Sequence, residues 1–222
     1  PIKSSAASDV YKRQLEGRAF FAGGASSNMN SDNKCANVEV YNSTLTRTAA
    51  TNLSVARYYP LTATIGSRVL FAGGTGNTIT KVVDVYSTSL TRTAAADLSR
   101  PTSGDASTVV GNYAIFTSDG NTSCDVYNAS LTKTTVTLLS VARVNMSAGT
   151  VGDYALFAGG GTNSPYSDVV DACDTSLTRT TVTTLDYPRS GLSSATVGDY
   201  LLFAGGRIDS ENYSSDVFVY TA

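Results

Sequence analysis

Residues 147–160, with the sequence SAGTVGDYALFAGG, hold the pattern that decides the fold. Small and β-branched residues at Ser147–Val151 are followed by Gly152-Asp153 and then by the largely apolar run Tyr154–Ala158. A glycine that opens a two-residue connection between two strand-like runs predicts a β-hairpin with a type II′ turn. Because the diglycine that follows ends the second strand, this stretch predicts two antiparallel strands and then a loop.

The same pattern recurs along the chain in units of 41–50 residues. The segment FAGG stands at Phe21–Gly24, Phe71–Gly74, Phe157–Gly160 and Phe203–Gly206, and its degenerate copy FTSDG stands at Phe116–Gly120. A second marker, L-T-[RK]-T, begins at Leu45, Leu90, Leu131 and Leu177. A third marker is a hydrophobic residue followed by Asp or Glu, Val and Tyr, and it ends at Tyr41, Tyr86 and Tyr127. In the next two units, the last position of this marker holds Cys173 and Tyr220. The constant order of the three markers indicates an array of structural repeats.

Each repeat predicts a four-stranded antiparallel meander. After the hairpin, a third strand is expected at Asp168–Cys173, and a Thr-rich outer strand is expected at Leu177–Val182. Basic residues in the outer strands suit a solvated, protected sheet edge. A single sheet of this kind cannot bury two apolar faces, so the sheets must stack, and the small residues of the innermost strands suit the crowded axis of a β-propeller.

The repeat resembles the kelch repeat, in which a strand ending in diglycine precedes a Tyr, a Trp seven residues later and an Arg sixteen residues after the Tyr. Here the Arg position holds Arg57, Arg143 and Arg189, whereas the second unit has Thr102 there and Arg100 nearby. The Trp position holds Thr48, Thr93, Thr134 and Thr180, so the array is a divergent, Trp-less one of bacterial or phage type. The resemblance covers residues 15–222 and implies that these arginines link neighbouring blades through backbone carbonyls. The predicted structural residues are therefore Gly23, Gly24, Gly73, Gly74, Gly159, Gly160, Gly205, Gly206, Arg57, Arg143 and Arg189.

Two stretches decide the predicted domain boundaries. Ser4–Gln14 reads as the translation of a transposase adaptor used for sequencing libraries, so residues 1–14 are expected to be non-native and residues 15–222 to form the propeller. With residues 1–14 set aside, the first repeat lacks an innermost strand and the last stops after Val217–Tyr220. We therefore expect about five four-stranded blades, a fragment of a larger ring of six or seven. The alternative is a complete five-bladed ring in which residues 1–14 fill the gap.

Composition excludes several classes of function. The chain has no His among its 222 residues, which removes Ser-His-Asp and Cys-His nucleophile systems and the His ligands of copper and zinc sites. Cys35, Cys124 and Cys173 lie in different repeats without metal-ligand spacing and are expected to be buried packing residues. A net charge of −2 argues against nucleic-acid binding, and no apolar run is long enough to span a membrane. The sequence predicts no metal and no cofactor.

The variable loops between the second and third strands of each repeat are the predicted binding surface, because such loops on a rigid scaffold commonly carry binding. Candidate ligand-binding residues are Asn28, Asn30, Asn77, Asn121, Tyr166, Arg207, Asp209, Glu211 and Tyr213. The prediction is a non-catalytic binding or structural module that recognises an unknown protein or glycan, with no catalytic residue, and its location is expected to be extracellular, on a cell surface or on a phage particle. The alternative that the kelch resemblance implies is a carbohydrate-active enzyme of the sialic-acid mutarotase type.

Overall fold

The computed structural model describes residues 11–25, 34–161 and 165–221, and these residues form five antiparallel β-sheets. Four sheets have four strands and the fifth has three, each in the order of the sequence. The sheets fall into two compact units, Pro1–Gly104 with two sheets and Asp105–Ala222 with three. Within the described residues, no helix is long and apolar enough to cross a membrane.

The first unit contains two four-stranded meanders. The first sheet consists of β1 (Tyr11–Leu15), β2 (Arg18–Ala22), β3 (Val38–Tyr41) and β4 (Arg47–Ala50). The second sheet consists of β5 (Leu61–Ile65), β6 (Arg68–Ala72), β7 (Val83–Ser87) and β8 (Arg92–Ala94). Their facing side chains form one core, which includes Phe20, Val40 and Leu53 with Phe71 and Tyr86.

The second unit contains the other three sheets. The third sheet consists of β9 (Ser107–Val110), β10 (Tyr113–Phe116), β11 (Ser123–Asn128) and β12 (Lys133–Thr137). The fourth consists of β13 (Ser147–Val151), β14 (Tyr154–Ala158), β15 (Val170–Asp174) and β16 (Arg179–Thr181). The fifth consists of β17 (Ser193–Val197), β18 (Tyr200–Ala204) and β19 (Val217–Thr221). One core lies between the third and fourth sheets and a second between the fourth and fifth.

The predicted inner hairpins are present in four sheets. Gly66, Gly111, Gly152 and Gly198 have φ between 51° and 55°, and the residue that follows each of them has a negative φ, as a type II′ turn requires. The first sheet uses a different turn, because Glu16 and Gly17 both have positive φ, the signature of type I′.

The first sheet corrects one expectation. The sequence predicted that this sheet lacks an innermost strand, whereas β1 pairs in full register with β2, from Tyr11 opposite Ala22 to Leu15 opposite Arg18. Setting residues 1–14 aside as non-native removed most of this strand from consideration. The strand does not test the origin of these residues, so their derivation from an adaptor stays a prediction.

The L-T-[RK]-T marker corresponds to a turn between the third and fourth strands. The leucine adopts a left-handed conformation in each of the four complete sheets, with φ of 59–64°. In three of them an Asn or Asp at the end of the third strand, or directly after it, accepts hydrogen bonds from two backbone amides of the turn; these residues are Asn42, Asn128 and Asp174. Such side-chain bonds stabilise a turn that would otherwise strain a leucine backbone.

Hydroxyl groups join the innermost strands of neighbouring sheets within each unit. Thr64 of β5 donates to the carbonyl of Gln14 in β1, and Thr150 of β13 donates to the carbonyl of Val109 in β9. Thr196 of β17 in turn donates to the carbonyl of Thr150. The Ser and Thr content of these strands therefore provides hydrogen bonds between sheets as well as the small volume that the sequence analysis expected.

Candidate functional site

Three buried arginines connect consecutive sheets. Arg57 lies in the segment between the first and second sheets, and its guanidinium donates to the carbonyl of Phe71 in β6 and pairs with Asp84 at 2.9 Å. Arg143 likewise donates to the carbonyl of Gly159 and pairs with Asp171 of β15. Burial lowers the pKa of Arg57 and Arg143, and the adjacent carboxylates oppose this shift. These contacts give the two arginines a role in holding sheets together.

Arg189 makes the corresponding link to the fifth sheet with a different acid. Its guanidinium donates to the carbonyl of Gly205 at 3.2 Å and approaches Asp216 at 3.5 Å. The position that holds Asp84 and Asp171 in other sheets is occupied by Phe218, and the Arg189 guanidinium lies 4.5 Å from the centre of that ring. In the fifth sheet, a cation–π contact between Arg189 and Phe218 therefore stands where the second and fourth sheets have an ion pair between the arginine and an acid of the third strand.

The basic residues of the outer strands are also paired, although the sequence suggested only solvated edge residues. Arg92, Lys133 and Arg179 approach Asp84, Asp125 and Asp171 at 3.1, 3.6 and 3.3 Å, and those carboxylates are buried. Arg47 pairs with Glu39 at 2.6 Å on the surface. The acid on the third strand therefore pairs with a basic side chain of its own sheet. In the second and fourth sheets it also pairs with Arg57 or Arg143, the arginine that connects two sheets.

The diglycines allow the backbone of the linking segment to approach. A Cβ atom on Gly23 or Gly159 would lie 2.4 or 2.6 Å from the carbonyl oxygen of Arg57 or Arg189. The second glycine of each pair donates its amide hydrogen to that same carbonyl, at 2.9 Å for Gly24 and 2.8 Å for Gly160. The diglycine and the arginine are therefore two parts of one connection between sheets.

The predicted binding residues of the fifth sheet form one ordered loop. Arg207 and Tyr213 make an isolated antiparallel bridge, and the Arg207 guanidinium lies 5.6 Å from the Tyr213 ring centre. The guanidinium also donates to the carbonyl of Ser210 at 2.8 Å. Asp209 accepts hydrogen bonds from the amides of Glu211 and Asn212 and from the Asn212 side chain, and these bonds lower its pKa. The Tyr213 side chain remains 70% exposed.

The other predicted binding residues belong to other loops of the chain. Asn77 is exposed and accepts a hydrogen bond from the Lys34 ammonium at 2.8 Å. The side-chain oxygen of Asn121 accepts a hydrogen bond from the Ser123 backbone amide within a turn. Tyr166 is half-buried. Asn28 and Asn30 lie outside the described residues.

The third sheet carries a polar group that the sequence analysis missed. Asp105 stands where the neighbouring repeats have Pro60, Met146 and Leu192, and burial raises its pKa to about 7. Its carboxylate oxygens are buried, and the Thr117 hydroxyl of the FTSDG segment and the backbone amides of Ala106 and Met146 lie near enough to oppose the rise in pKa. Comparing Asp105 with these aligned positions would have revealed it, because the other residues there are apolar.

The three cysteines form no disulfide. All three cysteines are free; Cys124 and Cys173 are buried, which raises the pKa of each to about 12, while Cys35 is half-buried. A thiol with so high a pKa is a poor nucleophile at neutral pH. Among the described residues, no group of three His, Cys, Asp or Glu side chains could hold a metal ion.

Comparison with known proteins supports the fold alone. No protein-family model matches the chain, and no curated protein matches it in sequence. The solved structure of YjhT, a propeller protein, is similar over 96% of this chain and 81% of that chain, with a TM-score of 0.74 and 14% sequence identity. Together with the five antiparallel sheets, this similarity confirms the predicted all-β, kelch-like β-propeller fold.

Proposed function

We propose that the chain is a non-catalytic binding module that recognises a protein or glycan through its variable loops, chiefly residues 207–214. The observation that carries the proposal is the exposed Tyr213 ring with the Arg207 guanidinium stacked against it. Tyrosine and arginine are the residue types most enriched at binding hot spots, because they offer a large contact area together with hydrogen bonding.

The loop is also held in shape before any ligand binds. The Asp209 carboxylate accepts hydrogen bonds from the backbone amides of Glu211 and Asn212, which fixes the backbone, and the bond that Arg207 donates to the Ser210 carbonyl fixes the guanidinium. A preformed loop loses little conformational entropy on binding, so more of the contact energy appears as affinity. The variation of this loop among the repeats fits a specific site, since repeated positions cannot distinguish one ligand from another.

A second candidate is a sugar mutarotase, and Asp105 is the observation that favours it. A carboxyl with a pKa of about 7 could exchange protons with a sugar at neutral pH. Because both carboxylate oxygens are buried, a substrate would reach them only after local opening of the third sheet. Saturation-transfer NMR on a panel of reducing sugars tests this function: accelerated anomer exchange that Asp105→Asn abolishes would support it.

An array of glycans and purified proteins tests the binding function. Wild type is expected to bind a defined ligand, and the double variant Arg207→Ala, Tyr213→Ala should lose at least about tenfold in affinity. The matched control removes Arg47 and Tyr187, another exposed Arg and Tyr outside the loop, and should bind as wild type. Binding that survives the loop variant but is lost in the control would contradict the proposal.

A further inference from the structure

One tyrosine of the first unit has a backbone conformation that bulky residues rarely adopt. Tyr59, two residues after the linking Arg57, has φ of 55°. A positive φ is unfavourable for a residue with a large side chain, and it persists only where the surrounding structure imposes it. The presence of a tyrosine at this position therefore needs a reason other than its backbone preference.

The corresponding positions of the other connecting segments hold residue types that tolerate this conformation. They are Gly104, Asn145 and Gly191, with φ of 71°, 55° and 68°. Glycine has no Cβ atom, and asparagine adopts the left-handed region more readily than most residues. The left-handed leucines differ from Tyr59, because leucine recurs at that turn in all four complete sheets. The connection between sheets thus uses a left-handed residue, but it does not require a tyrosine.

Tyr59 meets the ring of Tyr58 at a steep angle. The two ring centres lie 5.0 Å apart and the ring planes are inclined at 73°. Both residues are half-buried. The Tyr58 backbone is fixed, because its amide donates to the Thr75 carbonyl at 3.1 Å and its carbonyl accepts the Thr75 amide at 2.7 Å. Tyr58 and Tyr59, the tyrosine pair, therefore place two aromatic rings against each other like the walls of a corner.

Two hydroxyl groups are tied to the tyrosine pair through the backbone. Thr75 is bonded to Tyr58, and Ser103 precedes Gly104, whose amide donates to the Tyr59 carbonyl at 3.1 Å. The side-chain oxygens of Thr75 and Ser103 lie 2.7 Å apart. Each hydroxyl has one donor and two acceptor lone pairs, so their mutual bond leaves one O–H group and three lone pairs for other partners.

These groups match the chemistry of an uncharged sugar. The C–H groups on one face of a pyranose pack on an aromatic ring, while its hydroxyls both donate and accept hydrogen bonds. A proline-rich peptide also packs on aromatic rings, but its prolines offer carbonyl acceptors alone. Lys34 reaches the loop that follows Thr75, where its ammonium already donates to the Gly76 carbonyl and to Asn77 Oδ1. A neutral sugar is therefore favoured over an acidic one.

We propose that the tyrosine pair, together with the Thr75 and Ser103 hydroxyls, forms a binding site for the ring of a neutral pyranose sugar. The sugar face stacks on Tyr59, Tyr58 lies at its edge, and the two hydroxyls bond the sugar hydroxyls. All four residues belong to the first compact unit. None belongs to residues 207–214, so this site is additional to the binding function proposed above.

Saturation-transfer difference NMR on the full chain tests the site. The probes are methyl β-D-glucopyranoside, methyl β-D-galactopyranoside and methyl N-acetyl-β-D-glucosaminide. At least one of them should be saturated, most strongly at the C–H hydrogens of a single ring face, because that face packs on the Tyr59 ring. Titration of the saturation signal then gives the dissociation constant for wild type and for each variant.

Substitutions of Tyr59 separate the aromatic ring from the backbone. Tyr59→Asn introduces the residue type of Asn145, so the variant should fold and bind the sugar at least about tenfold more weakly. Tyr59→Phe keeps the ring and should change affinity by less than about twofold. Tyr59→Gly, with the residue type of Gly104 and Gly191, is a second ring-deleted variant and should lose binding equally. Tyr187→Asn, which alters another exposed tyrosine, is the matched control and should bind as wild type.

The proposal fails if none of the three glycosides is saturated, or if the folded Tyr59→Asn and Tyr59→Gly variants bind sugar as wild type does. It also fails if hexaproline binds in place of the sugars and Tyr59→Asn abolishes that binding, because the tyrosine pair would then recognise a peptide. The Arg207→Ala, Tyr213→Ala variant should bind the glycoside as wild type. Loss of glycoside binding in that variant would assign the sugar to residues 207–214, which would overturn this proposal and support the proposed function.

Discussion

At the scale of single residues, the packing leaves no room for a side chain at some glycines, whereas it accommodates the buried carboxyl of Asp105 at a cost in stability. Gly160 has φ of +107°, and a Cβ atom there would lie 2.7 Å from Met146 Cγ and from the carbonyl oxygen of Val144. Gly198 has φ of +55°, and a Cβ atom there would meet nothing within 4 Å. Substitution of Gly198 therefore measures backbone strain alone, whereas substitution of Gly160 measures backbone strain together with a steric collision.

We expect Gly160→Ala to destabilise the chain by about 1–3 kcal/mol, because it adds a collision to an unfavourable backbone conformation. Gly198→Ala should cost about 1 kcal/mol, from the backbone alone. Urea denaturation followed by circular dichroism measures both free energies of unfolding. Equal losses would mean that the neighbouring backbone moves aside freely.

Asp105 should make stability depend on pH. Its folded pKa of about 7 lies above the ordinary value of 3.8 because burial disfavours the charged carboxylate and Asp119 adds to the effect. Cys124 and Arg143 are the other titratable groups whose charge couples to it. Because the folded state holds its proton more tightly, this carboxyl lowers stability progressively as pH rises from about 4 to about 7.

The variant Asp105→Asn should remove that loss. Relative to wild type, it should gain about 1–3 kcal/mol at pH 8 and little at pH 4.5. Urea midpoints at the two pH values measure the difference, and comparison with wild type cancels the acid sensitivity of the other carboxylates. A gain that is the same at both pH values would show that the Asp105 carboxyl does not titrate with a raised pKa.

At the scale of strands and their connections, the buried arginine is the residue that ties one sheet to the next. Arg143 reaches two backbone carbonyls, of Gly159 and Val169, in addition to Asp171. Arg179 pairs with the same carboxylate from a position whose side chain is 35% exposed. Arg143 and Arg179 thus pair with the same acid, Asp171, but Arg143 is more deeply buried and makes more hydrogen bonds.

Arg143→Met should therefore cost about 3–5 kcal/mol, because it leaves backbone carbonyls and a buried carboxylate without a partner. Arg179→Met should cost less than about 1 kcal/mol, as expected of a partly solvated pair. Guanidinium denaturation gives both values. A larger loss for Arg179→Met would assign the link between the sheets to the outer strand.

The sequence predicted the strands and hairpins well because their signals are local. The turn at Gly152, the diglycines and the third strand at Asp168–Cys173 follow from residues close together in the chain, and the structure has strands at each place, with β15 at Val170–Asp174. The kelch resemblance implied the backbone carbonyl partners of the arginines, whereas the acidic partners were missed because Asp171 is 28 residues from Arg143 and meets it only when two sheets pack. The strand β1 was expected only under the alternative in which residues 1–14 fill the gap, because most of its residues match a translated adaptor sequence.

The candidate site could be predicted only in part. Arg207 and Tyr213 were identified from residue type and loop variability, and the contact between them follows from a local turn that Asp209 stabilises. The contact of Asn77 with Lys34 joins residues that are 43 positions apart in the chain, which residue type does not encode. Asp105 was detectable by aligning the repeats, whereas its burial was not.

At the scale of the whole molecule, repeated residues connect neighbouring sheets within each compact unit, and the variable loop at residues 207–214 is exposed. The repeated diglycines, arginines and innermost strands connect sheets and are mostly buried. The loop with Arg207 and Tyr213 is exposed and carries no link between sheets other than the bridge of Arg207 to Ser190. A change in the loop is therefore expected to alter recognition while the scaffold remains folded.

Hydrogen–deuterium exchange with and without a ligand identified on the array tests whether residues 207–214 form the recognition site. If they do, ligand addition slows exchange at the amides of residues 207–214 and leaves exchange at residues 105–121 of the third sheet unchanged. Protection confined to residues 105–121, with residues 207–214 unaffected, would contradict it, because recognition would then take place at Asp105 and the FTSDG segment.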